Sequence, residues 1–432
     1  MSVSKSVRIG LLGCGTVGAA TARILLDDAG QIARRAGVRL ELARVAVRYP
    51  AKSRAFDLPA GLLTSDAPGI VSDPLIDVVV ETIGGIDPAK ELIVSALRAG
   101  KHVVTANKEL LATSAPEVMA AAAASGTDLF FEGAVAGGIP VIRPIRESLA
   151  GDSVQRIMGI VNGTTNFILT RMSDTGESFE DALAEADRLG YTESDPSADI
   201  DGHDAASKLA ILTSLAFNAL VSADDVLREG ISAVTSEDIA AAHALGYEVK
   251  LLAVADAADG RISARVHPAM LPRTHPLASV RNEFNAVFLE AEQAGDLMFL
   301  GRGAGGAPTA SAVVGDVVEA ARNVTNGTSS ALVYATERGA MRPPGESSAR
   351  YYLVLSVADQ PGVLAAVAGV FAVNDVSISS VRQEGFGDEA TLILITHAAP
   401  EAQHDATIEG LRQLVEVKSI DSKMRVLGTA EG

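Results

Sequence analysis

Residues 7–18 read VRIGLLGCGTVG. A short run of strand type enters Gly13-Cys14-Gly15-Thr16-Val17-Gly18, and the helix-like segment VGAATARILLDD follows. G-x-G-x-x-G has a physical meaning when it lies between a strand and a helix. Gly13 makes the tight turn. Gly15 lets a pyrophosphate approach the backbone, and Gly18 lets helix and strand pack closely. The helix N-terminus then offers free N–H groups and partial positive charge to an anion. Outward from this turn, LELARVAV, LIDVVVET, KHVVTA and LFFEGAV read as strands, and PAKELIVSALRAG and ELLATSAPEVMAAAAASG as helices. Strands alternating with helices predict an α/β fold with a Rossmann-type parallel sheet. Cys14 is read as filling a small site in the turn.

The pattern changes after Arg143. SVQRIMGIVNGTTNFIL is a strand feeding a helix, SFEDALAEADRLG is a capped helix with Ser178 at its start, and 203–221 is a helix. EVKLLAVADAADGRISARVHPAM turns at Asp259-Gly260, and NAVFLEAEQAGDLMFLG repeats the scheme. These make an α+β unit. TASAVVGDVVEAAR, residues 309–322, is a small-residue helix that can return to the first domain. MRPPGESSAR is a linker. Beyond it YYLVLSV, VLAAVAGVFAV, VSISSVRQE, a GFGDE turn, TLILITH, ATIEGLRQL and VEVKSIDSKMRVLG give a βαββαβ, ferredoxin-like order. The boundaries expected are 1–145 for the dinucleotide-binding domain, 146–325 for the catalytic domain, 326–347 for the linker and 348–432 for the tail module.

Composition limits the rest. A net charge of −18 repels phosphate backbones, so nucleic acid is not an expected partner. A single cysteine excludes an internal disulfide framework and a cysteine-cluster metal site. The N-terminus has no signal-peptide architecture, and no apolar run approaches ~20 residues. A cytoplasmic location with no membrane partner is expected.

In many NAD sites an acid closing the second strand binds the ribose 2′-OH. Here that strand leads into VAVRYPAKSR, with Arg48, Lys52 and Arg54. Cations there suit a 2′-phosphate, which favours NADP over NAD, although a solvated basic loop is the plain alternative. Thr82, where LIDVVVET ends, is placed with the cofactor residues. Asn107 and Lys108 lie just past another strand end, where ligands of open α/β sheets bind. Residues 199–212, DIDGHDAASKLAIL, place Lys208 inside an apolar helix with Asp204 one turn before it.

The chain resembles homoserine dehydrogenase along its whole length. The segments that carry the likeness are GLLGCGTVG, VVTANKELL, FFEGAVAGGIPVI, GIVNGTTNFILT, LGYTESDPSADIDGHDAASKLAIL and GRGAGGAPTASAVVGDV. The tail, with Asp359-Gln360-Pro361-Gly362-Val363-Leu364 and Asn374, looks like an ACT domain. The resemblance implies reversible NAD(P)H-dependent reduction of L-aspartate 4-semialdehyde to L-homoserine. It implies Lys208 as proton donor, Glu193 as ligand of the homoserine amine, Lys108 on the cofactor and substrate side, Asp204 as supporting carboxylate and Gly303 as a cofactor contact. It also implies a sodium ion at Glu132, Val135, Gly137 and Ile139. Threonine is the implied ligand of the ACT module, at Asp359, Gly362, Val363, Leu364 and Asn374, and a homodimer or homotetramer is expected.

The residues themselves support such chemistry. Hydride arriving at an aldehyde carbon leaves an alkoxide, which needs a stabilising charge and then a proton. An ammonium held on an apolar stem supplies both. Asp204 can orient it, although an exposed i,i+4 pair is worth only ~0.3–0.5 kcal/mol and spacing alone reads as an ordinary helix ion pair. Glu193 offers an anion to the substrate ammonium, with Asp195, Asp199 and Asp201 as a negative rim. Asn162-Gly163-Thr164-Thr165-Asn166 can take the carboxylate at a helix start, or simply cap the helix, or both. His203 lies about 100° around the helix from Asp204 and is read as structural. Among the proposed sodium ligands only Glu132 has a side-chain oxygen, and a glycine-rich hinge without an ion is the alternative. Two other readings stand beside the dehydrogenase: a Rossmann oxidoreductase acting on an imine or semialdehyde phosphate, and a non-catalytic nucleotide-binding amino-acid sensor.

Overall fold

The glycine turn joins a strand, Ser6–Leu12 (β1), to a helix, Thr16–Asp27 (α1), as the motif predicts. The computed structural model describes residues 6–52, 58–192, 195–330, 334–335, 337–385 and 389–428. After α1 come Ala29–Ala36 (α2), Arg39–Ala46 (β2), Leu63–Thr64 (β3), Ala67–Ser72 (α3), Val78–Glu81 (β4), Ala89–Arg98 (α4), His102–Thr105 (β5), Lys108–Ser125 (α5) and Leu129–Phe130 (β6). These six strands pair in parallel in the order β3-β2-β1-β4-β5-β6. The order reverses between β1 and β4, so a crevice opens at their carboxyl ends. The residues of β4 and β5 are all buried, which is why those strands read as apolar runs.

The chain continues through Val154–Ile160 (β7), Gly163–Thr175 (α6), Phe179–Arg188 (α7), Ser197–Ile200 (α8), His203–Ala216 (α9), Leu227–Arg228 (β8), Ser236–Ala244 (α10), Tyr247–Ala258 (β9) and Arg261–Pro272 (β10). Then come Phe284–Ala291 (β11), Gly295–Arg302 (β12), Gly306–Asn326 (α11), Ser348–Ala358 (β13), Val363–Val373 (α12), Ile378–Glu384 (β14), Glu389–Thr396 (β15), Ala399–Pro400 (β16), Glu401–Arg412 (α13) and Val417–Val426 (β17).

The chain divides into two compact units. The first comprises Met1–Ile157, Ser207–Asp225 and Phe284–Gly339. Its core joins Val7, Ile9, Leu11, Ala22 and Val80 to Val313, Val317 and Ala320 of α11, so that helix does return to the dinucleotide sheet. Its small residues allow this approach: a Cβ on Gly306 would lie 2.9 Å from the Thr16 carbonyl oxygen. The helix is longer than residues 309–322 because it runs to an αL cap at Gly327. By contrast α9 stops at Ala216, short of the expected residue 221. The Ser214 hydroxyl accepts the Val221 N–H at 3.0 Å, and Asn218 takes φ 47°, which turns the chain back.

The second unit comprises Met158–Ala206, Val226–Glu283 and Ala340–Gly432. Strands β9 and β10 form an antiparallel hairpin. At its turn Asp259 and Gly260 take φ 53° and 71°, as a two-residue type I′ turn requires. The tail folds as expected into βαββαβ with strand order β17-β13-β15-β14 over a core that includes Tyr351, Leu355, Phe371, Leu392 and Leu411. Its last strand also pairs in parallel with β10, at Ala269↔Arg425 and Met270↔Val426. Residues 386–388 of the GFGDE turn lie outside the described residues. No described helix is long and apolar enough to cross a membrane.

Candidate active site

A cavity of about 1230 Å³ opens beside the glycine turn, lined among others by Gly13, Gly15, Thr16, Arg48, Lys52 and Thr82. The three glycines perform three separate tasks. Gly13 sits at φ 95°, and a Cβ there would lie 2.7 Å from the Thr82 carbonyl oxygen. A Cβ on Gly18 would meet the Gly13 carbonyl oxygen at 2.4 Å. A Cβ on Gly15 would have nothing within 4 Å, so this face is open for a ligand. Helix α1 starts after Gly15 with no side-chain cap, so its first N–H groups are not taken by a capping side chain. The Thr82 hydroxyl donates towards the carbonyl oxygens of Leu12 (3.2 Å) and Gly13 (3.1 Å) and so holds the turn in place. Val17 packs against the hydrophobic core.

The end of β2 carries no acid. Ala46 is followed by Val47 and by the exposed Arg48 on the cavity wall, with Lys52 nearby; Arg54 lies outside the described residues. One residue of this crevice was not singled out by the sequence. Glu81 is fully buried, and its carboxylate accepts the Thr105 hydroxyl at 2.5 Å and the N–H groups of Ile83 (2.7 Å) and Gly84 (3.0 Å). It shapes the loop after β4. The available signal was an acid closing the apolar run VVVE. Lys108 opens α5 immediately after β5, behind Asn107, whose amide donates to the Gly85 carbonyl oxygen at 2.6 Å and whose oxygen caps Leu110 N–H at 3.0 Å.

In the second unit, Asn162 caps α6 by accepting the Thr165 N–H at 2.9 Å. Its amide nitrogen donates both to Asp199 Oδ1 (2.6 Å) and to Asp204 Oδ2 (2.9 Å). The sequence placed Asn162 in a different motif from Asp199 and Asp204, and the fold ties both carboxylates to its amide. Gly163 is the first residue of α6. The Thr164 hydroxyl donates to the Tyr191 carbonyl oxygen at 2.9 Å, and the Tyr191 ring lies against Phe167. Thr164 therefore anchors the approach to the loop that contains Glu193, itself outside the described residues. Asp204 and Lys208 lie one turn apart on α9 and are both buried, at 7% and 8% exposure. His203 is exposed.

Family models agree with this layout. The model described as homoserine dehydrogenase matches residues 140–318, the homoserine dehydrogenase NAD binding domain matches 13–132, and the ACT domain matches 351–416. Homoserine dehydrogenase of Corynebacterium glutamicum is 50% identical over 426 residues, covering 98% of this chain and 96% of the relative. The chain belongs to the homoserine dehydrogenase family. The Bacillus subtilis homoserine dehydrogenase is 40% identical over 98% of the chain and 99% of its own length. A solved homoserine dehydrogenase from Thiobacillus denitrificans superposes with a TM-score of 0.92 at 41% identity, covering 98% of each chain. A hyperthermophilic archaeal homoserine dehydrogenase solved in complex with NADPH has a TM-score of 0.62 at 29% identity, covering 74% of this chain and 98% of its own. The protein is thus an oxidoreductase with a nicotinamide-binding Rossmann domain and a C-terminal ACT domain.

The loop expected to hold sodium is organised around the Glu132 carboxylate. That group accepts the N–H groups of Val141 (2.6 Å), Ile142 (2.8 Å) and Arg143 (2.9 Å). The Glu132 N–H donates to Asp316 on α11 at 2.7 Å, and Arg143 reaches Asp316 at 3.0 Å. Burial and the neighbouring Glu132 push the Asp316 carboxyl up to about 8. Among the described residues no group of three His, Cys, Asp or Glu is arranged to hold a metal. With Glu132 so engaged, an ion here would depend on the main-chain oxygens of Val135, Gly137 and Ile139, a hard donor set of low charge. Gly303 belongs to the same corner. A Cβ on Gly137 would lie 2.5 Å from the Gly303 carbonyl oxygen, and one on Gly303 would collide with Asn285.

In the ACT domain, Gly362 takes φ 97° at the start of α12, and Asp359 accepts the Gln383 amide at 3.2 Å. Val363 faces the core and Leu364 faces outward, while Asn374 closes the helix by donating to the Val370 carbonyl oxygen.

A buried cation supports the Asn162–Asn166 turn from behind. Lys250 Nζ on β9 donates to Asn166 Oδ1 (3.1 Å) and to the Val280 carbonyl oxygen (2.6 Å). Burial lowers its ammonium from the ordinary 10.5 to about 8, against the pull of Glu248. The folded chain therefore holds this proton less tightly than the unfolded chain, so stability rises with pH between about 8 and 10.5. Relative to Lys250→Met, the wild type is expected to gain roughly 3 kcal/mol across that window, at about 1.4 kcal/mol per pKa unit. Urea unfolding of both proteins at several pH values measures this. Parallel profiles would contradict it.

Proposed function

We propose that this enzyme reduces L-aspartate 4-semialdehyde to L-homoserine, reversibly, with NADPH preferred to NADH and with threonine acting through the ACT domain. The observation that carries the reading is Lys208, a buried ammonium one turn beyond an Asp204 carboxylate that Asn162 pins in place. The nicotinamide cofactor, when bound, supplies the hydride. Lys208 stabilises the oxygen that gains negative charge and delivers its proton. Asp204 orients the ammonium. Glu193 takes the substrate amine, Gly163 and Thr164 stand at the carboxylate end, and Lys108 contacts substrate and cofactor. Gly13, Gly15, Thr16, Val17, Gly18, Thr82 and Gly303 build the cofactor side. Arg48 takes the 2′-phosphate, because a cation closes the second strand in place of an acid.

Asp359, Gly362, Val363, Leu364 and Asn374 form the threonine subsite. A homodimer or homotetramer is supported by the exposed edge strand β14 and by the exposed Leu364 and Val373. Any sodium at Glu132, Val135, Gly137 and Ile139 has a structural role. The deciding experiment follows NADPH absorbance with L-aspartate 4-semialdehyde, with and without L-threonine. Consumption of NADPH that threonine slows is the expected result. An inert mixture would remove this reading and leave the other two, an oxidoreductase acting on another substrate and a nucleotide-binding sensor. Activity indifferent to threonine would remove only the regulatory part.

A further inference from the structure

A buried charge cluster ties the ACT domain to the substrate loop. Glu401, at the start of α13, is 5% exposed and accepts Arg265 Nη1 of β10 at 2.9 Å and Arg425 Nε of β17 at 2.7 Å. The second fork of Arg425 does not stay in the ACT domain. Its Nη1 donates to Glu229 Oε1 at 2.6 Å. Glu229 begins a short segment wedged between two backbones. Its N–H donates to the Val266 carbonyl oxygen at 2.8 Å, and the Ile231 N–H donates to the Ile200 carbonyl oxygen at 2.9 Å. A Cβ on the intervening Gly230 would lie 2.5 Å from the Ile200 carbonyl oxygen and 2.9 Å from the Asp201 Cα, so the segment presses directly on the 200–201 turn. That turn adjoins Asp199, whose carboxylate shares the Asn162 amide with Asp204.

We infer that Glu229 is a positioning residue for substrate binding. Gripped by Arg425 of the ACT domain, it holds the 199–202 turn, and with it the Asp199 carboxylate that takes the Asn162 amide, in the geometry that binds homoserine. The inference rests on the proposed substrate site and extends it to how the ACT domain reaches that site. A planar guanidinium fixed on one side by a buried carboxylate has little freedom to follow a displaced partner. A shift of β17 within the ACT domain is therefore passed to Glu229 rather than absorbed. Linkage makes the effect reciprocal: a ligand that moves β17 changes homoserine affinity, and homoserine changes that ligand's affinity by the same factor.

The test uses the full-length enzyme in the direction of homoserine oxidation. Glu229 is half exposed, at 53% for its side chain, so Glu229→Ala is expected to fold. The expected result is a rise in the KM for homoserine of about 5- to 20-fold, within the usual span of a coupling between sites. The kcat should stay within about twofold and the KM for NADP should not change, since removal of uniform substrate binding moves KM alone. Glu229→Gln keeps an acceptor for Arg425 and should fall between the two. An unchanged homoserine KM in Glu229→Ala overturns the inference. So does a parallel loss of kcat, NADP affinity and melting temperature, which would mark a loosened fold. With L-threonine as probe, Glu229→Ala should bind it calorimetrically as the wild type does while being inhibited less. Inhibition equal to the wild type overturns the link to the ACT domain. A wild type that threonine does not inhibit removes the threonine reading, and the homoserine KM then decides the role of Glu229 by itself.

Discussion

Lys208→Ala is expected to lower kcat by about 10²–10⁴-fold, the range that a positioned proton donor supplies. NADPH should still bind with its wild-type dissociation constant, because the glycine turn, Thr82 and Arg48 belong to other elements. The size of the effect follows from the side chain's surroundings. The side chain is buried, and it lies one turn from an Asp204 that is itself fixed by Asn162. Water entering the truncated site can supply a proton, but without a fixed charge to meet the developing alkoxide. Lys208→Arg should recover little, since a guanidinium stays protonated and cannot deliver a proton at neutral pH. Stopped-flow and steady-state measurement of NADPH oxidation, with cofactor binding followed by fluorescence, separates the two effects. A kcat within tenfold of the wild type would assign the proton to another group.

Arg48→Glu should shift the ratio of kcat/KM for NADP over NAD towards NAD by about 10²-fold. A charge-assisted hydrogen bond contributes ~1.5–3 kcal/mol, and a carboxylate in its place adds repulsion towards a phosphate. The same carboxylate can accept from a ribose hydroxyl, which favours NAD. Lys52 also lines the cavity and retains part of the attraction, so the double change Arg48→Glu, Lys52→Ala should exceed the single one. The magnitude depends on salt, because Arg48 is exposed and screened. An unaltered ratio in low-salt buffer would place the 2′-phosphate elsewhere.

Much of this was legible from local patterns. G-x-G-x-x-G after an apolar run identified a turn whose three glycines do have three different steric environments, since strand, turn and helix are neighbours in sequence as well as in space. The Asp259-Gly260 hairpin and the βαββαβ tail were equally plain, because period-2 alternation and turn chemistry act within a few residues. Helix α9 was misjudged at its end, where a Ser214 side chain reaches the returning backbone at Val221, and nothing in the propensities of 217–221 announces that contact. Glu81 and Asp316 were missed for a related reason. Each is a lone acid in an apolar run, and its meaning depends on which N–H groups the fold brings to it.

The sequence by itself therefore determined most of the elements, the dinucleotide turn and the placing of Lys208 one helical turn beyond Asp204, since helical and strand periods fix which side chains share a face. The convergence of groups distant along the chain was decided only by the tertiary structure. Asn162 between Asp199 and Asp204, Glu132 with Asp316, and Arg425 between Glu401 and Glu229 are contacts across tens to hundreds of residues. Burial makes each of them obligatory, because a charge or amide removed from water must find a partner, but it does not name the partner. Only closure of the fold does that.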